Sequence, residues 1–197
     1  MRSVIANWPI IFLRGVLAAA LAVFAYFAQG FSKIDLIEML SVAFLVFAVC
    51  TYGIFDGILL VWIALRAPAG MLKRFGMTQG IGSVILGLIL ATFLFIKVST
   101  AWFVILAVIQ CWLMGFNELS VALHLRRHPL DQRGFFTAAT ISILFGVFAL
   151  VSSGGSGHAA AVWLTWYGGM MAATHFWIAY RLRTWQSEVK HHVAAAV

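Results

Sequence analysis

Six long apolar runs constrain this chain more than any other feature. They cover approximately Trp8–Ala28, Met39–Leu65, Met77–Ile96, Ala101–Leu123, Phe135–Val151 and Ala159–Tyr180. About 20 apolar residues cross the hydrocarbon core of a bilayer as a helix. A backbone surrounded by lipid must satisfy its own hydrogen bonds, and the runs lack the alternation of a membrane strand. Each run is therefore predicted as a transmembrane helix. The composition agrees, at 63% hydrophobic and 10% charged residues, against roughly 25% charged in soluble domains. The fold class expected is all-α: a polytopic membrane protein of six transmembrane helices. No cleavable signal is evident. The first run contains Arg14 and lacks a cleavage site, so it is read as a retained span. Cys50 and Cys111 lie inside apolar runs and read as small buried hydrophobes, not as a disulfide.

Basic residues orient the runs. Arg2 and Arg14 lie at the first end, and Arg66, Lys73 and Arg74 follow the second run. Arg126, Arg127 and Arg133 follow the fourth, and Arg181, Arg183 and Lys190 the sixth. Only Lys33 and Lys97 fall on the other side, so the 13 basic residues divide 11 to 2. The positive-inside rule then makes both termini cytoplasmic, with Arg66, Arg126 and Arg181 at the cytoplasmic edge. The net charge of +7 is explained by topology, so nucleic acid is not expected as a partner. The lipid bilayer is. A second copy or another membrane protein is left open by the sequence.

The runs repeat. "GILLVWIALR" (57–66), "GFNELSVALH" (115–124) and "AATHFWIAYR" (172–181) end the even runs and share Ala64, Ala122 and Ala179 at one offset. "GVLAAALA" (15–22), "GIGSVILG" (80–87) and "ATISILFG" (139–146) begin the odd runs with small residues seven apart, which fall on one helical face. Small residues let helices approach closely in lipid, where packing drives association. Gly15, Gly53, Gly57, Gly80, Gly87, Gly115 and Gly146 are thus candidate helix contacts. The unit is read as one helical hairpin used three times, about 8–66, 77–126 and 134–183, in a pseudo-threefold arrangement with a cytoplasmic tail at 184–197. "KVST" (97–100) and "SSGGSGH" (152–158) read as tight or flexible turns, and the latter brings no lysine to serve as a phosphate loop.

Arg14-Gly15 opening one span, Asp56-Gly57 inside the next, the Ala64-Leu65-Arg66 ending and the reuse of the hairpin together resemble the HdeD-type acid-resistance membrane proteins. The resemblance covers roughly residues 8 to 183. The third repeat departs from it, with Met171 in place of the acid and Ala172 in place of the glycine. The resemblance implies a small bacterial inner-membrane protein linked to acid stress, and it implies no catalytic residues.

A few polar residues lie deep inside the runs. Asp56 is ten residues before Arg66, or about 15 Å by helix rise. Glu118 is eight before Arg126, about 12 Å, and its neighbour Asn117 points about 100° away. His175 is six before Arg181 and is shallower. Leu60, Glu118 and His175 share one position in the repeat frame, and Asp56 is one turn from Leu60 on the same face. If the even spans converge, Asp56, Glu118 and His175 share one interior. Buried acids pair, face water or take up a proton. The cluster could therefore hydrogen-bond between helices and specify packing, or relay or sense protons.

Other constellations carry less. His124 and His128 are four apart, but Pro129 follows and two histidines do not complete a zinc site. His191 and His192 lie in the tail. No HExxH, GxSxG or Walker loop occurs, so no enzyme, cofactor, metal or catalytic residue is expected. Trp8, Trp102, Trp163 and Trp185 near run ends suit an interfacial belt, and Trp62, Trp112 and Trp177 read as packing residues. The functions expected are an acid-stress protein of the HdeD type, a small solute transporter or channel, or a structural or regulatory subunit of a membrane complex.

Overall fold

The computed structural model describes residues 7–31, 35–67, 70–95, 100–126, 132–152 and 157–194. Arg2, Lys33, Lys97, Arg127, His128 and Pro129 lie outside them, as does most of each loop at 97–100 and 152–158. The described residues form six helices: α1 (Trp8–Phe31), α2 (Asp35–Arg66), α3 (Met71–Thr92), α4 (Thr100–Leu125), α5 (Arg133–Ser152) and α6 (Gly157–Ala194). Pro9 sits in the first turn of α1, where the missing N–H costs nothing, and Pro68 and Pro129 lie outside the described residues.

Among the described residues, five helices are long and apolar enough to cross a membrane, α1 to α5. The sequence reading gave six. α6 falls outside the set because Thr165, Tyr167, Gly168, Gly169, Thr174 and His175 dilute its apolar run. It nevertheless accompanies α1 from end to end. Trp8 meets Gln186, Gly15 meets Phe176, Ala18 and Ala22 meet Gly168, and Gln29 meets Thr165. The two helices are therefore antiparallel along the whole first span.

The helices form a closed ring in chain order, with α6 returning to α1. Contacts around the ring alternate. The extensive ones are α1 with α6, α2 with α3 and α4 with α5. These pairs are offset by one helix from the hairpins read in the sequence, whose members also touch but less extensively. The reason lies in the small residues. A methyl group added at Gly57 of α2 would stand 2.6 Å from the Gly80 carbonyl oxygen of α3. One added at Gly87 would stand 3.0 Å from the Cys50 oxygen, and one at Gly115 of α4 would stand 3.2 Å from the Ala139 oxygen of α5. Gly146 leaves room for the Trp112 indole, and Gly168 brings α6 onto Ala18 of α1. In each tight pair a small-residue face lets backbones come together. Gly53 behaves differently: its nearest neighbours stand at 3.5 Å, an ordinary contact.

The interior falls into two apolar clusters. The larger includes Ala18, Leu45, Val49, Leu90, Phe103, Ala107, Met114, Leu164 and Met171. The smaller gathers Ile11, Ala122, Leu125, Phe135, Ile178, Ala179 and Leu182. It marks the end of the bundle that carries Arg66, Arg74, Arg126, Arg133, Arg181 and Arg183, called the basic end below. Phe12, Tyr26, Phe55, Trp62, Leu88, Trp102, Leu144 and Trp166 face outward, as lipid contact requires. Trp62 and Trp177, expected as packing residues, also face outward, and Trp62 lies under the Arg66 guanidinium. Trp163, expected at an interface, is buried; its indole N–H donates to the Phe145 carbonyl and its ring stacks on Tyr167. Cys50 and Cys111 are free and buried.

A buried ion cluster as the candidate functional site

The site begins with Arg14. Six residues after Trp8, it sits about 9 Å into α1 by helix rise. The charge count treats it as an end residue, yet it is buried at 3% exposure. Its guanidinium satisfies its donors on two other helices. Nε donates to Asp56 Oδ1 of α2 at 2.6 Å, and Nη2 approaches Asp56 Oδ2 at 3.4 Å. Nη1 donates to Glu118 Oε1 of α4 at 2.7 Å. His175 of α6 completes the group, with Nε2 3.5 Å from the same Glu118 oxygen. Asp56, Glu118 and His175 are each at most 1% exposed. Four helices thus contribute one ionisable side chain apiece, and Arg14 joins the two acids that the sequence reading expected to share one interior if the even spans converge.

The signal for Arg14 was present in the sequence. An arginine two turns inside an apolar run demands an anion, because a lone charge in hydrocarbon is expensive. It was absorbed into the topological charge count instead.

The tautomer of His175 follows from its other partner. Nδ1 stands 2.8 Å from the Met171 carbonyl oxygen, which only accepts, so Nδ1 carries the hydrogen. A neutral imidazole then turns a lone pair at Nε2 toward a carboxylate oxygen. At 3.5 Å from that oxygen, Nε2 is a second acceptor when the ring is neutral and a donor when the ring is protonated. With His175 neutral, one arginine and two ionised carboxylates sum to −1, and one further proton brings the cluster to zero.

A cavity of about 60 Å³ adjoins the cluster. Its lining runs from Asn7 and Ala67, at helix ends, to Arg14 and Glu118, and includes Leu60, Gly76 and Asn117. A water needs roughly 10–15 Å³ of such space, so the cavity has room for a few waters. It is far below the roughly 300–1,000 Å³ of small-molecule pockets. Asn117 therefore shares the cavity with Glu118 although the two diverge on their helix.

Sequence reasoning also passed over Gln79, Ser83 and Gln110. All three are buried, and their side-chain polar atoms reach no hydrogen-bond partner among the described residues. Each such atom, if dry, costs about 1–3 kcal/mol. Among the described residues no group of three or more His, Cys, Asp or Glu is arranged to hold a metal. His124 is exposed at the end of α4, and its candidate partner His128 is outside the described residues.

The fold and the site together define a helical, multi-pass membrane protein. No family model, no curated protein and no solved structure matches the chain.

Proposed function

We propose that this multi-pass membrane protein binds and releases a proton in its interior and acts as an acid-responsive membrane protein. The observation that carries the reading is the buried approach of His175 Nε2 to Glu118 Oε1 at 3.5 Å, with Nδ1 held on the Met171 carbonyl oxygen. A proton placed between them turns a repulsive contact into a charge-assisted hydrogen bond and neutralises the cluster. Stability alone does not account for these residues. Well-packed apolar side chains often stabilise as much as a buried ion network does, and ionisable residues within a membrane mark function by default. Tyr52, whose hydroxyl donates to Met114, stands within electrostatic reach of Asp56, Arg14 and Glu118. Among the described residues, the buried polar side chains of α3 and α5 are the neutral Gln79, Ser83 and Ser142.

The HdeD-type resemblance supports the acid-stress setting, a bacterial inner membrane and a non-enzymatic role. The loop charges support cytoplasmic termini, so the basic end would face the cytoplasm. The alternation of tight pairs supports a pseudo-threefold bundle with α6 as its sixth crossing, the unit being an even helix with the odd helix that follows it around the ring. Solute transport has less support, since the cavity admits only a few waters.

Infrared difference spectroscopy of the reconstituted protein tests the proposal. Acidification from about pH 8 to about pH 4, a window that brackets ordinary His and carboxyl titration, should add one proton to the cluster. The signal should vanish in Glu118→Gln and in Asp56→Asn, each of which leaves Arg14 balanced by a single carboxylate. Impaired survival at low pH should accompany both variants. A wild-type protein showing no titrating imidazole or carboxyl band would end this reading, and the cluster would then be a clamp that fixes helix packing.

A further inference from the structure

We propose that α2, α3 and α4 hold a blind file of internal water molecules, which enters at the basic end and stops at Gln110. The proposal goes beyond proton binding and does not depend on it.

Three observations connect. The cavity beside Arg14 is lined by Gly76 of α3 and reaches the helix ends at Asn7 and Ala67. Gln79 and Ser83 follow Gly76 at helical spacings of three and four, so the three lie along one face of α3. Both side chains are buried with unpartnered polar atoms. At the next level, Gly53 of α2 faces both α3 and α4. The point where its methyl group would stand is 3.5 Å from Gln110 Nε2 and 3.5 Å from the Ser83 carbonyl oxygen. Both amide atoms of Gln110 are also unpartnered. Polar side chains therefore step inward beyond Gly76 at the cavity wall, each with polar atoms that find no hydrogen-bond partner among the described residues, and water is the ligand whose chemistry fits an amide donor, an amide acceptor and a hydroxyl in turn.

Beyond Gln110 the polar steps cease. Leu45, Val49, Leu90, Phe103, Val104 and Ala107 close the interior, all buried and apolar. The cavity in this part, between Phe103, Ala149, Ala160 and Trp163, has only about 10 Å³, at or below what a single water needs. The file is therefore one-sided: water and what it carries reach Gln110 from the basic end and go no further.

Silver-ion accessibility tests this in oriented vesicles. In a Cys50→Ala/Cys111→Ala background, the thiol of a Ser83→Cys variant should be blocked by Ag⁺ added on the basic-end side. That block is read as loss of later maleimide labelling in denatured protein. Ag⁺ added on the opposite side should leave labelling intact. The matching Leu90→Cys variant should keep its labelling from both sides. Labelling of Ser83→Cys untouched from the basic-end side, or lost from the opposite side, overturns the proposal, as does loss of labelling in Leu90→Cys. The unaltered protein gives a second measurement. Water-edited solid-state NMR should transfer magnetisation from water to the side-chain amides of Gln79 and Gln110, and absence of transfer to both overturns the file. A cluster that fails to titrate leaves these results unchanged, so the two proposals fail separately.

Discussion

The two halves of the bundle solve the interior differently. Toward the basic end, Arg14, Asp56, Glu118 and His175 pair with one another, a cavity of about 60 Å³ adjoins them, and Gln79 and Ser83 sit nearby with unpartnered atoms. Toward the other end, Leu45, Val49, Leu90, Phe103 and Ala107 pack without polar groups, and Gln29 of α1 is satisfied by Thr165 of α6 at 2.7 Å. The lesson concerns solvent. A bilayer offers apolar side chains nothing to escape from, so the apolar half is held mainly by packing, with Gln29 and Trp163 adding single hydrogen bonds. The polar half is held by charge complementarity, and removing one partner exposes the rest.

The largest expected effect follows from that contrast. Arg14→Gln leaves two carboxylates without a cation and should destabilise the protein by about 3–5 kcal/mol, measured as unfolding in detergent. Asp56→Asn leaves Arg14 facing Glu118, a neutral pair, and should cost clearly less. Equal costs would show that the net charge of the cluster does not govern its stability. In the apolar half, Leu90→Ala should cost about 2 kcal/mol, near the low end for buried leucines because lipid solvates leucine as well as protein does. A cost above that of Arg14→Gln would invert the comparison.

Smaller effects separate the glycines. Gly57→Ala drives a methyl group to 2.6 Å from the Gly80 oxygen and should cost about 1–2 kcal/mol through forced separation of α2 and α3. Gly53→Ala meets only ordinary contacts at 3.5 Å, and alanine's preference for helix should make it neutral or stabilising by about 0.5–1 kcal/mol. Thermal unfolding of the two variants side by side checks the sign. The smallest effect belongs to the basic end, where the Trp8 indole N–H donates to Gln186 at 3.0 Å and Arg183 lies over its ring. Trp8→Phe removes that hydrogen bond and should cost about 0.5–1 kcal/mol. Limited proteolysis of the end of α6 should register the loosening.

Much of the bundle was legible in the sequence because membrane helices announce themselves. Their apolar runs, boundary prolines and basic ends are local properties. Asp56, Glu118 and His175 were also legible as candidates, since a polar residue deep in an apolar run is conspicuous by itself. Arg14 was not, because a basic residue near a run's start reads as an anchor until its partners are seen. Gln79, Ser83 and Gln110 were passed over because a neutral polar residue in a membrane helix often finds a partner, and only the packed structure reveals that these do not. The pairing of helices was read one step out of phase. Sequence neighbours suggested hairpins, whereas contact follows the small-residue faces, which bring Gly57 to Gly80 and Gly115 to Ala139.

By itself, the sequence determined that this chain is helical, that it belongs in a membrane and that its basic residues gather mostly on one side, since these depend on apolar length and charge counted along the chain. The tertiary structure decided that α6 closes the ring against α1, that Arg14 binds two acids from other helices and that His175 brings Nε2 within 3.5 Å of Glu118. Those outcomes depend on distances between residues far apart in sequence, where a few ångströms separate an ion pair from a lone charge.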